Sequence, residues 1–178
     1  MVQFKIMLSN KKLIDNYDWN GNNPSRWKDS ANALCISYNI LWKEYKKSLK
    51  QMSKEKRGLC PLEFDVLLPA LMLLGYAIES FLKAIWVKNG NILAKDGKFE
   101  DTLKCKAHDL VAIAKTVQIN FDTKEEDILK RLSWVITAIG RYPIGKSLPK
   151  IWPFSWSGGD AVIIKKFVDK LYSELNGF

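Results

Sequence analysis

Pro69-Ala70-Leu71-Met72-Leu73-Leu74-Gly75-Tyr76-Ala77-Ile78-Glu79-Ser80-Phe81-Leu82-Lys83-Ala84-Ile85-Trp86-Val87-Lys88-Asn89-Gly90 is the stretch around which the chain is organised. Pro69 at the first helical position and Asn89-Gly90 just past the last supply the usual start and stop of one helix. Leu71, Leu74, Ile78, Leu82 and Ile85 recur at steps of three and four, and Leu73, Ala77, Phe81 and Ala84 widen that face almost halfway round. A helix this apolar belongs at the centre of a bundle.

Its one polar strip carries Glu79 and Lys83, a turn apart, with Tyr76 and Ser80 beside them. Glu four residues before Lys is the favourable order, worth ~0.2–0.5 kcal/mol at a surface. If the strip is buried, stranding either charge costs several kcal/mol, so each needs the other or a group from a neighbouring helix. Two readings follow: an intrahelical ion pair at the bundle edge, or a pocket lined by Glu79 and Lys83 as ligand-binding groups.

The chain has 178 residues, the length of one domain, enough to bury roughly two thirds of its unfolded surface. Lys and Arg number 28 against 19 acids, a formal charge of +9, which favours acidic partners such as RNA or a nucleotide. Cys35, Cys60 and Cys105 are odd in number and widely spaced, suggesting neither a disulfide framework nor a zinc site; a reducing cytoplasm is expected. His108 is the single histidine, which excludes a two-histidine metal site, and no metal or cofactor is called for. Met1 to Asn10 has no apolar core of signal-peptide length, and the longest apolar run, Val66 to Ile78, is too short to span a bilayer, so no membrane role is expected.

Residues 1–23 mix apolar residues with Asn-rich punctuation and read as an irregular arm with at most one short helix or strand. From Pro24, capped by Asn23, a long helix buries Trp27, Ala31, Leu34, Tyr38, Leu41, Tyr45 and Leu49. Lys43, Lys47, Lys50 and Lys54 lie together on its opposite side, either a solvated face or a nucleic-acid surface. Asn91 to Lys106 reads as a mobile polar loop, without a convincing hairpin signal. A short helix is expected over Asp109 to Gln118. Thr123-Lys124-Glu125-Glu126 then reads as a capping box for a helix ending near Gly140. Residues 143–159 form a Pro/Trp-rich loop whose Trp152, Phe154 and Trp156 must pack on the bundle or on a partner. A last helix, within residues 160–178, buries Ile164, Phe167, Val168, Leu171 and Leu175. The expected fold is a single all-α domain, a four- or five-helix bundle with its core in residues 24–142.

Gly140-Arg141-Tyr142-Pro143-Ile144-Gly145-Lys146-Ser147 matches the GxxxxGK[ST] phosphate-loop pattern. That motif works only where a helix starts at its Lys-Ser, aiming amides at the phosphates. Pro149 and Pro153 interrupt such a helix, and the preceding capping box marks that segment as helical rather than strand, so the match is refused. The short turn from Ile119 to Asp122 instead makes the two flanking helices antiparallel. His108 and Arg141 are then expected at one end of the bundle, with Lys83 and Tyr142 in reach.

The pairing of Gly75-Tyr76-Ala77-Ile78-Glu79-Ser80-Phe81-Leu82-Lys83-Ala84 with Ala107-His108-Asp109-Leu110 resembles the HEPN superfamily of helical bundles, across roughly Pro24 to Tyr142. The resemblance implies a nucleic-acid- or nucleotide-binding module of a toxin–antitoxin or phage-defence system. For the catalytic branch it implies metal-independent RNA cleavage. That branch carries an Arg four to six residues before the His; here Asp101 to Ala107 contain none, so the motif is absent in that form. The leading expectation is a binding module without strong catalysis. The alternatives are a metal-independent ribonuclease with His108 and Arg141 as catalytic groups, and a non-enzymatic interaction subunit, a homodimer or the partner of another protein.

Overall fold

The computed structural model describes residues 2–55, 66–105, 108–139 and 156–177. Six α-helices occur among them: α1 Val2–Gly21, α2 Pro24–Glu55, α3 Leu67–Lys88, α4 Leu110–Thr116, α5 Thr123–Trp134 and α6 Gly158–Asn176. Between α3 and α4 lies one two-stranded antiparallel hairpin, β1 Ala94–Lys95 and β2 Lys98–Phe99. The all-α expectation holds.

Helix α3 is the hub. Leu71, Ile78, Leu82, Ala77 and Ala84 are fully buried, and Phe81 is 1% exposed. The helix packs most extensively against α2 and also against α4, α5 and α6. It begins two residues before Pro69, which therefore sits in the first turn, where its missing N–H costs no internal hydrogen bond. It ends as expected, at Asn89 with Gly90 at φ +86°. The uninterrupted apolar run Val66 to Ile78 is short, but the helix that forms over it is longer. Taken as one helix, Leu67–Lys88 meets the length and hydropathy requirement, yet 67% of its most apolar window is covered by the other helices.

Helix α2 starts at Pro24, with the Asn23 side chain accepting from the Ser25 amide at 3.0 Å. Trp27 at its start meets Lys83 near the end of α3, so the two helices run antiparallel. Helix α6 runs antiparallel to α5: Arg131 holds Asp160 at 2.6 Å, and Lys170 holds Glu125 at 3.1 Å. The cap of α5 is Asp122 rather than Thr123; its carboxylate accepts from the Glu125 amide while the Glu125 carboxylate accepts from the Asp122 amide. Either residue can fill that role, and Asp122 lies one position nearer the extended backbone. At its C-terminal end α5 widens into a π-helical turn, Val135–Ile139.

Residues 1–23 are not an irregular arm, because Val2–Gly21 is helix. Nor is Asn91 to Lys106 simply a loop. Asp96 (φ 53°) and Gly97 (φ 74°) make the tight left-handed turn that matches strand twist, and the hairpin is anchored from α1. Both oxygens of Asp18 accept from its tip, from the Gly97 amide at 2.9 Å and the Asp96 amide at 2.8 Å. The Asn22 side chain brackets its base, accepting from the Leu93 and Ala94 amides and donating to the Ala94 carbonyl. Gly21 is required at this junction, since a Cβ there would lie 2.4 Å from that of Ala94.

Candidate functional site

The polar strip of α3 is buried, and it is completed from another part of the chain. Glu79 is 6% exposed, a position that disfavours a bare carboxylate by several kcal/mol. Its Oε1 accepts from Lys83 Nζ at 2.7 Å, and its Oε2 lies 2.8 Å from His108 Nδ1. Burial pushes the Glu79 pKa up, but the ammonium and imidazole outweigh it and hold the carboxyl below its ordinary value. An ionised Glu79 requires a proton on His108 Nδ1, leaving Nε2 as the acceptor nitrogen of the neutral ring.

Each partner is held in place by its surroundings. The Lys83 ammonium lies 5.3 Å from the centre of the Trp27 ring and 5.5 Å from that of Phe99, an aromatic bracket built from α2 and β2. Trp27 is fixed by donation from its indole N–H to the Gly21 carbonyl at 2.8 Å. His108 adopts φ +66°, a region that residues with a Cβ rarely occupy, at a cost on the order of 1 kcal/mol. Three features fix it there. One is the Glu79 contact; another is the edge-on Tyr76 ring, 6.0 Å away. The third is the start of α4, where Asp109 caps the Ala112 amide and the Leu110 amide donates to Ser133 Oγ of α5 at 2.9 Å.

Of the predicted site residues, Glu79, Lys83 and His108 form one cluster. The start of α4 does lie against the last turn of α5, as the antiparallel argument required. The cluster is not at the tip of α3, however. It lies about two turns inside the helix end, because α4 crosses α3 at Glu79 rather than at Lys88. Arg141 and Tyr142, with the whole refused phosphate-loop match, lie outside the described residues. The segment before that match is helix and π-turn through Ile139, not a strand.

The lysines of α2 form a separate feature. Lys43, Lys46, Lys47 and Lys50, with Glu44 and Gln51, border a recess of about 570 Å³. Among the described residues only Lys47 of the four meets a carboxylate, Glu44 at 3.6 Å. Lys43 is sixteen residues beyond Trp27, about 24 Å along the helix, so recess and His108 cluster do not adjoin. The side chain of Lys54 lies outside the described residues. A groove of about 950 Å³ between α2, α3 and α6, lined by Tyr38, Trp42, Leu74, Phe81 and Tyr172 among others, reaches neither Glu79 nor His108. Trp152 and Phe154 are outside the described residues, whereas Trp156 packs on the core beneath the Arg131 guanidinium.

Sequence reasoning missed the groups flanking Lys83. In the sequence Trp27 falls on the core stripe of α2 and Phe99 in a polar stretch; Asp96-Gly97, a strong two-residue turn signal, is the cue that places Phe99 on a strand. Comparison with protein-family models, with curated proteins and with solved structures gives no match.

Proposed function

We propose that this chain is a HEPN-like helical module that binds RNA or a nucleotide, acting in the cytoplasm within a toxin–antitoxin or phage-defence system. The observation that carries the binding reading is the lysine recess on α2: four ammonium groups around one concavity, one of them ion-paired to a carboxylate among the described residues, in a chain of net charge +9. Such an array gains affinity by releasing counterions from phosphates. The test is fluorescence anisotropy with a labelled single-stranded RNA across a salt series. Replacing Lys43, Lys47 and Lys50 by Ala is expected to weaken binding and to flatten the logarithmic salt slope by about 2, at ~0.7 per phosphate contact. Unchanged affinity and slope in the triple variant would overturn the assignment to this recess.

The Glu79–His108 contact favours a second reading, metal-independent RNA cleavage. A carboxylate that fixes one imidazole nitrogen leaves the other as a general base or, once protonated, a general acid. Cleavage in EDTA that disappears in His108→Ala and peaks at intermediate pH would support it. Cleavage that survives the substitution would remove it.

A further inference from the structure

The hairpin side of the molecule carries two exposed aromatic rings, each stacked with a cation. Phe99 is 49% exposed and lies over the Lys83 ammonium; Trp19 is 54% exposed, with the Arg26 guanidinium 5.1 Å from its ring centre. Both rings belong to segments that meet at the hairpin tip. Trp19 is next in the chain to Asp18, whose carboxylate holds the Asp96 and Gly97 amides, and Phe99 is two residues from Gly97.

The hairpin pole carries cations beside its rings. Asp18 accepts from the two hairpin amides, which ties α1 to the hairpin tip. Lys95 and Lys98 sit directly across the hairpin from each other, a like-charge pairing unfavourable in itself, and neither meets a carboxylate among the described residues. Arg26 likewise has no ion-pair partner there, while Asp96, Glu100 and Asp101 are the acids of the hairpin segment. Exposed rings backed by cations are how strands without a base-paired partner are held: the ring face takes a base and the flanking cations take the phosphates. A duplex keeps its bases stacked on one another and offers nothing to such a ring.

We propose that this pole is a base-stacking platform for single-stranded nucleic acid, with Phe99 and Trp19 as the stacking faces and Lys95, Lys98 and Arg26 as flanking phosphate contacts. It rests on the nucleic-acid-binding reading above and specifies the form of the ligand. Phe99 is linked to the His108 cluster through Lys83 and Glu79.

The test uses the full chain and a ten-nucleotide oligomer carrying one 2-aminopurine, made as RNA and as DNA, single-stranded and as a duplex. Single strands are expected to bind with quenched 2-aminopurine fluorescence, and duplexes more weakly and without quenching. Phe99→Leu keeps an apolar side chain over Lys83 but removes the ring face, and is expected to weaken single-strand binding on the order of 5- to 100-fold. Phe99→Tyr should retain it, and Trp19→Leu should lower it in the same range. RNA bound more tightly than DNA identifies a site reading the 2′-hydroxyl; equal binding identifies one reading base and phosphate alone, and both are single-strand platforms. Wild-type binding unaffected by Phe99→Leu and Trp19→Leu would overturn the platform while leaving the lysine recess standing. No binding by the wild type at low salt would overturn both.

Discussion

Glu79 and His108, twenty-nine positions apart, meet at 2.8 Å across the α3–α4 crossing, and the same carboxylate holds Lys83 at 2.7 Å. One buried acid thus orders two bases. The first consequence is a fixed tautomer. In the wild type at a pH where the ring is neutral, nitrogen chemical shifts should report His108 protonated at Nδ1 and bare at Nε2. Glu79→Gln should abolish that preference and, by leaving Lys83 without its carboxylate, destabilise the fold by about 1–3 kcal/mol. Identical nitrogen shifts in both proteins would contradict the arrangement.

The second consequence concerns acid. The folded-state pKa of Glu79 is below its ordinary value of 4.5, so the unfolded chain takes up a proton first as pH falls. The stability that Glu79 confers is therefore full above the ordinary carboxylate range and is lost as pH drops through the folded value. Asp160 shifts the same way: partial burial raises its pKa, and hydrogen bonds from Arg131 and Ser157 more than offset this. Urea unfolding from about pH 7 to about pH 3 should show the wild type losing stability more steeply than Glu79→Gln, with a residual slope in the variant from Asp160 and other carboxylates. Parallel curves would refute the Glu79 part.

A packing prediction follows from Gly75. A Cβ there would lie 2.6 Å from Cγ2 of Ile136, which is itself fully buried in the π-helical turn. On propensity alone Gly75→Ala in mid-helix should stabilise by about 1 kcal/mol. The clash reverses the sign, and thermal unfolding should register a net loss of about 1–3 kcal/mol. A gain in stability would mean that α3 and the end of α5 are not in contact as described.

Asp18 supplies a fourth prediction. Asp18→Ala removes both acceptors at the hairpin tip, so hydrogen exchange at the Asp96 and Gly97 amides should accelerate markedly, with a global cost of only about 1 kcal/mol because the site is near solvent. Exchange unchanged at those two amides would show that the hairpin is held by something else.

Most of the architecture was readable wherever a helix buries one face. The stripes of α3 and α6 show the spacing of their buried residues, the α2 stripe does so as far as Tyr45, beyond which Leu49 is exposed and Ser48 buried instead, and the Glu79-to-Lys83 spacing announces the ion pair. Helix α1 was illegible because its apolar residues are scattered around the axis among Asn10, Asn16 and Asn20, which favour turns; Leu13 and Trp19 remain largely exposed even when it forms. The hairpin was hidden because Lys95 and Lys98 flank its turn where alternating apolar residues would normally signal strands. Its anchors, Asp18 and Asn22, lie more than seventy residues away, and no local pattern announces so distant a contact. His108 was found as a candidate, but its meeting with Glu79 depends on where α4 crosses α3, and spacing along the chain does not encode that.

The burial of α3 also bears on how the protein is made. Left bare, Leu67–Lys88 is the part of the nascent chain most readily mistaken for an insertion signal or captured by aggregation. Its principal cover, α2, leaves the ribosome ahead of it, so the oily segment emerges with a docking partner already synthesised and awaits only α4, α5 and α6 to close its remaining sides.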